Sequence, residues 1–200
     1  MVRKNNNETL HSKYEKLIMI FQIDYMSNDK YKRYFEFNSK YNIPNHIIFN
    51  DIKINEFLNE YGYFDVFKSF KVDPVYNYAK KAILCDVLRL MILYEFGGIY
   101  VDADVFFTPE IVNIENHFNE KFQNKTILLS TRSFFFLKAE KKSKYIEKIL
   151  SLYYKAELLR LDIFMLNKIE IVKYANELMV IPETHIKQFF THDQITSKLK

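Results

Sequence analysis

The sequence predicts an α/β protein with a mostly parallel central sheet. Short, continuously apolar runs with many β-branched residues are typical of buried parallel strands. Segments with apolar residues at helical spacing separate these runs, and strands that alternate with helices favour a parallel sheet. The chain has 200 residues, of which 48% are hydrophobic and 27% are charged, so it can bury the core that this fold needs.

The predicted elements follow one another along the whole chain. Apolar runs predict strands over 17–23, 46–49, 99–107, 126–130, 134–137 and 179–181, and the spacing of the fourth and fifth suits a hairpin. Helical spacing predicts helices over 30–40, 54–61, 76–96 and 145–161, another within 163–178, and a more ambiguous one over 64–73. Gly62 closes the second helix, and Gly97 and Gly98 stop the helix that precedes the third strand.

No linker or internal repeat interrupts this pattern, so we expect one domain over residues 1–200. Residues 1–14 are polar and rich in asparagine, and we expect them to be flexible. Residues 185–200 carry little pattern, and we expect a weakly ordered tail there.

Composition excludes several classes of function. The net charge of +4 arises from 29 basic and 25 acidic residues mixed along the chain, which argues against a nucleic-acid partner. Three glycines cannot build a P-loop or a Rossmann fingerprint. No apolar run approaches the roughly 20 residues of a transmembrane helix.

The expected location is the cytosol, of a host or of a bacterium. Cys85 is the single cysteine, which fits a reducing compartment, and the polar N-terminus has no secretory signal. A secretory-pathway lumen is consistent with the sequence only if the chain is a fragment of a membrane-anchored parent.

Two aspartates lie within the predicted strand 99–107. Because side chains alternate along a strand, Asp102 and Asp104 would share one face, about 7 Å apart at the backbone. Aspartate is disfavoured in strands, and a buried carboxylate has to be paired or bind a cation. Aligned carboxylates suit Mn²⁺ or Mg²⁺. A solvated strand edge explains the pair equally well, so the two aspartates alone leave both interpretations open.

A second charged pair lies on the preceding helix. Asp86 and Arg89 are three residues apart and share one face of a helix that is apolar nearly all round, and therefore buried. A structural salt bridge would also explain this pair. Gly97 and Gly98 permit a tight turn that returns the strand beside its own helix. The helix pair and the strand pair would then converge on one pocket.

The run AILCDVLRLMILYEFGGIYVDADVFF, residues 82–107, resembles the DXD sugar-binding region of glycosyltransferase family 32. The relatives of that family include yeast-type mannosyltransferases, bacterial capsular and lipooligosaccharide transferases, and the glucosylating domains of large clostridial toxins. The shared pattern is Asp-x-x-Arg, followed by Leu-Tyr-x-x-Gly-Gly-Ile-Tyr-x-Asp-x-Asp.

Outside this block the resemblance is weaker. The run around Gln22 is similar to the family's first strand, in which His-Gln-Ile/Thr-Trp is usual, but Phe21 and Asp24 depart from it. The family's C-terminal segment with a tryptophan has no counterpart, because the chain contains no tryptophan. His192 and Asp193 are candidates to replace it, although a histidine in a tail is more often simply solvated.

The resemblance implies a GT-A-type nucleotide-binding sandwich. It implies transfer of a sugar, with retention, from a UDP- or GDP-sugar to a glycan, a protein or another hydroxyl acceptor. By this likeness Asp104 would ligate Mn²⁺ or Mg²⁺ directly, and Asp102 would contact the ribose and the sugar and reach the metal through water.

The same likeness assigns the remaining site residues. Asp86 and Arg89 would hydrogen-bond the donor sugar and, with Asp102, serve catalysis. Tyr100, within the shared pattern, would belong to the donor site. Tyr25 is a candidate to stack on the nucleobase, from its position after the first strand alone.

Three other readings compete with a transferase. A catalytically inert module that binds a nucleotide-sugar fits the missing tryptophan segment and the short chain. A metal-dependent phosphoesterase would need further metal ligands, and the sequence has no His-rich signature for them. A structural protein would leave the complete motif unexplained.

Overall fold

The computed structural model of the chain describes residues 19–26, 29–69, 80–121, 127–130, 136–154, 178–181 and 183–192. The strands are β1 (Ile20–Asp24), β2 (His46–Asn50), β3 (Gly98–Val101), β4 (Val105–Phe107), β5 (Ile127–Ser130), β6 (Phe136–Ala139), β7 (Leu178–Ile181) and β8 (Phe190–His192). The α-helices are α1 (Asp29–Ser39), α2 (Asp51–Glu60), α3 (Phe64–Ser69), α4 (Lys80–Phe96), α5 (Ile114–Lys121), α6 (Lys144–Tyr154) and α7 (Glu183–Ile186). A 3₁₀ turn, Pro109–Asn113, precedes α5.

The central sheet has the strand order β2-β1-β3-β6-β5-β7 within the described residues. Strand β1 pairs in parallel with β2 and β3, and β5 pairs in parallel with β7. Strand β6 runs antiparallel between β3 and β5. The sheet is therefore mainly parallel, which confirms the predicted α/β class, and β5 and β6 are antiparallel neighbours as expected for a hairpin.

Side-chain alternation in the strands divides the core into two clusters. Phe21 and Tyr100 belong to the cluster that includes α2, α4 and α6. Ile20 and Ile99, their neighbours in sequence, belong to the other cluster, which includes β4, α5 and β8. Helices cover one face of the sheet, and the small β4–β8 pair with its flanking helices covers the other.

Helix α4 is buried along most of its length, as its apolar sequence predicts. Gly97 and Gly98 end it with φ values of +69° and +100°. The amide of Ile99 then donates to the Met19 carbonyl at 2.7 Å, so the chain returns directly beside β1. The predicted tight return after the helix is confirmed.

The prediction of one continuous strand over 99–107 is wrong. Strand β3 ends at Val101, residues 102–104 form a turn, and β4 begins at Val105 in a different, two-stranded sheet. We call residues 102–104 the aspartate turn. The alternating pattern continues through the turn, so periodicity could not reveal the break. Buried side chains from β1 and α1 hold the backbone of this segment instead of a neighbouring strand.

The first part of the expected tail also has regular structure. Strand β8 pairs antiparallel with β4, with His192 opposite Val105 and Phe190 opposite Phe107. Phe189 and Phe190 are buried, and burial of these aromatic side chains stabilises a short segment whose sequence shows no strand pattern.

Several predictions lie outside the described residues. They are the flexible segment 1–14, residues 163–177 of the predicted helix within 163–178, the tail from Asp193 onward, and parts of other predicted elements: residues 17–18, 70–73, 76–79, 126, 134–135 and 155–161. Within the described part of the chain, no helix has the length and apolarity required to cross a membrane.

Candidate functional site

A cavity of about 390 Å³ opens beside the carboxyl ends of β1 and β3, where one face of α4 approaches the aspartate turn. This is the edge at which α/β sheets commonly bind ligands, and the volume suits a small-molecule site. The lining residues come from β1, α1, α4, β3 and the aspartate turn: Ile23, Tyr31, Lys81, Ala82, Cys85, Asp86, Arg89, Tyr100, Asp102, Ala103 and Asp104.

Five of the six predicted site residues line this one cavity: Asp86, Arg89, Tyr100, Asp102 and Asp104. The predicted convergence of the helix pair and the aspartate pair is therefore present in the structure. The two aspartates face the same cavity from a turn, and not from the alternating strand that the sequence suggested.

Arg89 connects the two acidic groups. Its guanidinium forms an ion pair with Asp86 on the same helix, and its Nη1 lies 3.6 Å from Oδ1 of Asp102. The side chain of Arg89 is only 10% exposed, and its Cζ lies 4.8 Å from the centre of the Tyr100 ring. A guanidinium that contacts two carboxylates and an aromatic face has a fixed position, which a lysine could not reproduce.

Tyr100 supplies the second anchor for Asp102. Its hydroxyl donates to Oδ1 of Asp102 at 2.7 Å. Burial and the adjacent Asp102 carboxylate raise the pKa of Tyr100 well above its ordinary value. Tyr100 therefore stays a protonated donor at neutral pH, and Oδ1 of Asp102 is held by both Tyr100 and Arg89.

Asp104 lies on the other side of the aspartate turn, near α1. Burial, followed by the charge of Asp104, raises the pKa of Tyr31 on that helix. The carboxylate of Asp104 and the phenol of Tyr31 therefore border the same part of the cavity.

Three cavity residues with polar or ionisable side chains, Tyr31, Lys81 and Cys85, were not predicted from the sequence. Lys81 and Cys85 lie four residues apart on the face of α4 that ends at Arg89, so helical spacing from Arg89 could have identified both. Tyr31 had no such signal, because only the fold brings α1 to the aspartate turn. Burial raises the pKa of the Cys85 thiol to about 11, so this thiol is protonated at neutral pH.

Three other predicted residues are not among those that line the cavity. Tyr25 follows β1, packs edge-on against Phe67 with ring centres 5.9 Å apart, and is not among the residues that line the cavity. The backbone of His192 lies opposite Val105, the residue after Asp104, so β8 ends beside the aspartate turn. Asp193 lies outside the described residues.

The donor atoms of the cavity are compatible with a hard divalent cation. Asp102 and Asp104 offer carboxylate oxygens, the ligands that Mg²⁺ and Mn²⁺ prefer. Among the described residues, no group of three or more His, Cys, Asp or Glu side chains could hold a metal by itself. A cation here would complete its coordination with water and with phosphate oxygens of a ligand, as Mg²⁺ usually does in proteins.

Comparison with known proteins identifies the family of the chain. The family model described as "glycosyltransferase sugar-binding region containing DXD motif" matches residues 2–123, which is more than half of the chain. No curated protein matches the sequence significantly. Among solved structures, the chain is similar to a glycosyltransferase involved in the glycosylation of the major capsid of PBCV-1. The sequence identity is 14%, the TM-score is 0.46, and the match covers 87% of this chain and 94% of that chain.

Proposed function

The chain belongs to the family of glycosyltransferase sugar-binding regions that contain a DXD motif, and from this premise we propose that it transfers a sugar from a UDP- or GDP-sugar to a hydroxyl acceptor. We further propose that the transfer requires Mn²⁺ or Mg²⁺, retains the anomeric configuration, and uses a glycan or a protein as the acceptor. Membership of this family supports glycosyl transfer as the class of activity. The identity of the donor, the metal, the stereochemistry and the acceptor are what we propose.

One observation carries the proposal: the two carboxylates of the aspartate turn and the Asp86–Arg89 pair line a single cavity. A nucleoside diphosphate leaves readily only when its growing negative charge is neutralised, and a divalent cation on the diphosphate supplies that neutralisation. Asp102 and Asp104 are the residues that would hold it. The phosphate-binding device is then the aspartate turn, in a chain whose three glycines cannot form a phosphate loop.

The different environments of the two aspartates support different roles. Tyr100 and Arg89 hold Asp102 in place, which suits contact with the ribose and the sugar and an indirect, water-mediated contact with the metal. Asp104, bordering Tyr31 at the other end of the aspartate turn, is the proposed direct metal ligand.

The wall formed by α4 is the proposed sugar-binding side. Asp86 and Arg89 would hydrogen-bond the hydroxyl groups of the donor sugar, and a nearby fixed carboxylate would stabilise an oxocarbenium-like transition state. Lys81, two turns before Arg89 on the same face, adds a positive charge that suits the diphosphate. Tyr25 remains the proposed nucleobase contact by its position after β1, and Tyr31 is a second aromatic candidate on the cavity wall itself.

The decisive experiment is calorimetric titration of a panel of UDP- and GDP-sugars in the presence and absence of Mn²⁺. We expect one donor to bind only with Mn²⁺, and Asp104→Ala to abolish that binding in a folded protein. Asp65→Ala is the matched control, because it removes an exposed carboxylate from α3, which does not line the cavity.

The outcomes separate the candidate functions. Absence of binding by every donor in the panel would refute the proposal. Metal-dependent binding of a donor that is neither transferred nor slowly hydrolysed would instead identify an inert nucleotide-sugar-binding module, the alternative function. Release of free nucleotide from the bound donor, lost in Asp104→Ala, would support the transferase.

A further inference from the structure

We propose that Gln22 and Asn38 are positioning residues that hold the aspartate turn in the geometry needed for donor binding. What the turn binds rests on the proposed function, whereas the bracing itself is independent of it. Residues 102–104 belong to neither β3 nor β4, so strand pairing does not fix their backbone. Two buried amide side chains contact the ends of this segment instead.

Gln22 reaches the start of the turn from the adjacent strand β1. Its side chain is 0% exposed, and its Nε2 donates to the Asp102 carbonyl at 2.8 Å. Burying an amide in the middle of a sheet is unfavourable unless its hydrogen bonds are made. The position of Gln22 is therefore tied to the position of the Asp102 backbone.

Asn38 reaches the end of the turn from α1. Its side chain is 1% exposed, its Nδ2 donates to the Val105 carbonyl at 2.9 Å, and its Oδ1 accepts from the Phe107 amide at 2.7 Å. One side chain thus bonds both a carbonyl and an amide of β4, as a neighbouring strand would. Asn38 also donates to Oε1 of Gln22 at 3.3 Å, which joins the two braces.

The backbone groups dictate which way both amides point. A carbonyl can only accept and an amide N–H can only donate, so neither side chain can be flipped without losing bonds to Asp102, Val105 or Phe107. Oε1 of Gln22 is then an acceptor for Nε2 of His46, 3.0 Å away, which must carry the hydrogen. Burial lowers the pKa of His46 to about 4, so this histidine is neutral at physiological pH and keeps that single tautomer.

This network connects two elements, β1 and α1, to the two ends of the aspartate turn. The Asp102 carbonyl is anchored on β1, and the Val105 carbonyl and Phe107 amide are anchored on α1. The two carboxylates project from the short backbone between these anchors. Small displacements of catalytic groups cost large factors in binding and rate, so the anchors set the quality of the site.

The test uses substitutions that keep the shape of each side chain but change its polarity. In Gln22→Glu a carboxylate oxygen replaces the donor to the Asp102 carbonyl, and in Asn38→Asp an oxygen replaces the donor to the Val105 carbonyl. Gln22→Met is the uncharged second variant, in case a buried carboxylate prevents folding. Asn59→Asp is the matched control, since the Asn59 side chain donates to the local Asn55 carbonyl on the exposed side of α2.

Two quantities are measured: hydrogen exchange of the donor-free protein, and the dissociation constant of the donor with Mn²⁺. We expect exchange of the amides in residues 102–107 to accelerate about tenfold or more in the Gln22 and Asn38 variants, because an unpaired buried carbonyl carries its full desolvation penalty. Exchange in α2 should stay unchanged, and donor affinity should fall by about tenfold. Asn59→Asp should change neither quantity.

Three results would overturn the proposal. Equal acceleration in the aspartate turn and in α2 would indicate a general loss of stability. Unchanged hydrogen exchange in residues 102–107 of the variants would show that Gln22 and Asn38 do not brace the turn, whatever the change in donor affinity. Faster exchange with unchanged affinity would show that the braces do not position the site. If the wild-type protein binds no nucleotide-sugar, the proposed function fails by itself, and the exchange measurement still decides whether the bracing exists.

Discussion

At the scale of single residues, the same hydrogen bond occurs at two places with different consequences. The hydroxyl of Tyr100 donates to Asp102 at 2.7 Å in the cavity, and the hydroxyl of Tyr63 donates to the buried Glu95 at 2.6 Å, at the far end of α4. Hydrogen bonds to charged groups contribute about 1.5–3 kcal/mol. Comparing variants of Tyr100 and Tyr63 therefore distinguishes a contribution to stability from a contribution to donor binding.

We predict that Tyr100→Phe and Tyr63→Phe both lower the free energy of unfolding by about 2 kcal/mol. Only Tyr100→Phe should weaken Mn²⁺-dependent donor binding, by about tenfold, because it releases a carboxylate of the aspartate turn. Denaturant unfolding and calorimetry of the two variants measure these effects. Equal donor affinities would contradict the role assigned to Tyr100.

Cys85 offers a chemical reporter of the cavity. With a pKa of about 11, the thiolate fraction at pH 8 is about one in a thousand, so alkylation should be on the order of a hundredfold slower than that of a free cysteine. The rate should continue to rise through pH 10, and donor with Mn²⁺ should slow it further, because Cys85 lines the cavity. Mass spectrometry after timed iodoacetamide treatment measures both effects. Reaction at the rate of free cysteine, or no protection by a donor that binds, would contradict them.

At the scale of elements, the sequence predicted those parts whose signals are local. The apolar periodicity of α4, its end at Gly97, and the Asp86–Arg89 pair on one face were all visible in a single stretch of chain. The break after β3 was not visible, because the residues that hold it are Gln22 and Asn38, more than 60 residues earlier. Tyr31 was missed for the same reason.

The two glycines between α4 and β3 lead to a prediction about that connection. A Cβ on Gly98 would lie 2.4 Å from the Met19 carbonyl oxygen, and one on Gly97 would lie 2.6 Å from the Lys141 amide nitrogen. At Gly62 the backbone also has a positive φ, +72°, but a Cβ would meet nothing within 4 Å. The three positions share a conformational cost and differ in steric cost.

We expect Gly62→Ala to lower the free energy of unfolding by about 1 kcal/mol, the cost of the left-handed conformation. Gly98→Ala should cost at least about 3 kcal/mol more, because β1 and β3 have to separate at Met19. Denaturant unfolding of both variants gives the comparison. Similar losses in the two variants would mean that the close approach of the strands tolerates a side chain.

At the scale of the whole molecule, the site depends on contacts between distant parts of the chain. The aspartate turn joins the six-stranded sheet to the β4–β8 pair, and β8 comes from residues more than 80 positions later. A three-residue strand carries too little pattern to be recognised in isolation, and its partner could not be identified without the fold. The sequence therefore predicted the cavity wall on α4 more completely than it predicted the β4–β8 pair that follows the aspartate turn.

His46 makes stability of the whole fold depend on pH. Its pKa is lowered from 6.5 to about 4 because it is buried against Gln22 and Phe107, with Lys53 contributing. Between these pKa values the unfolded chain binds a proton that the folded chain does not, so the stability contribution is complete above pH 6.5 and is lost as the pH falls towards 4. The full difference corresponds to an upper limit of about 3 kcal/mol.

We therefore predict that the free energy of unfolding falls between pH 7 and pH 4.5, and that His46→Gln removes most of this dependence. Glutamine retains an N–H that can donate to Gln22, but it does not titrate. Urea unfolding at intervals of half a pH unit, in wild type and variant, measures the difference in slope. If the curves of wild type and variant are parallel, the pH dependence of stability arises from carboxyl groups and not from His46.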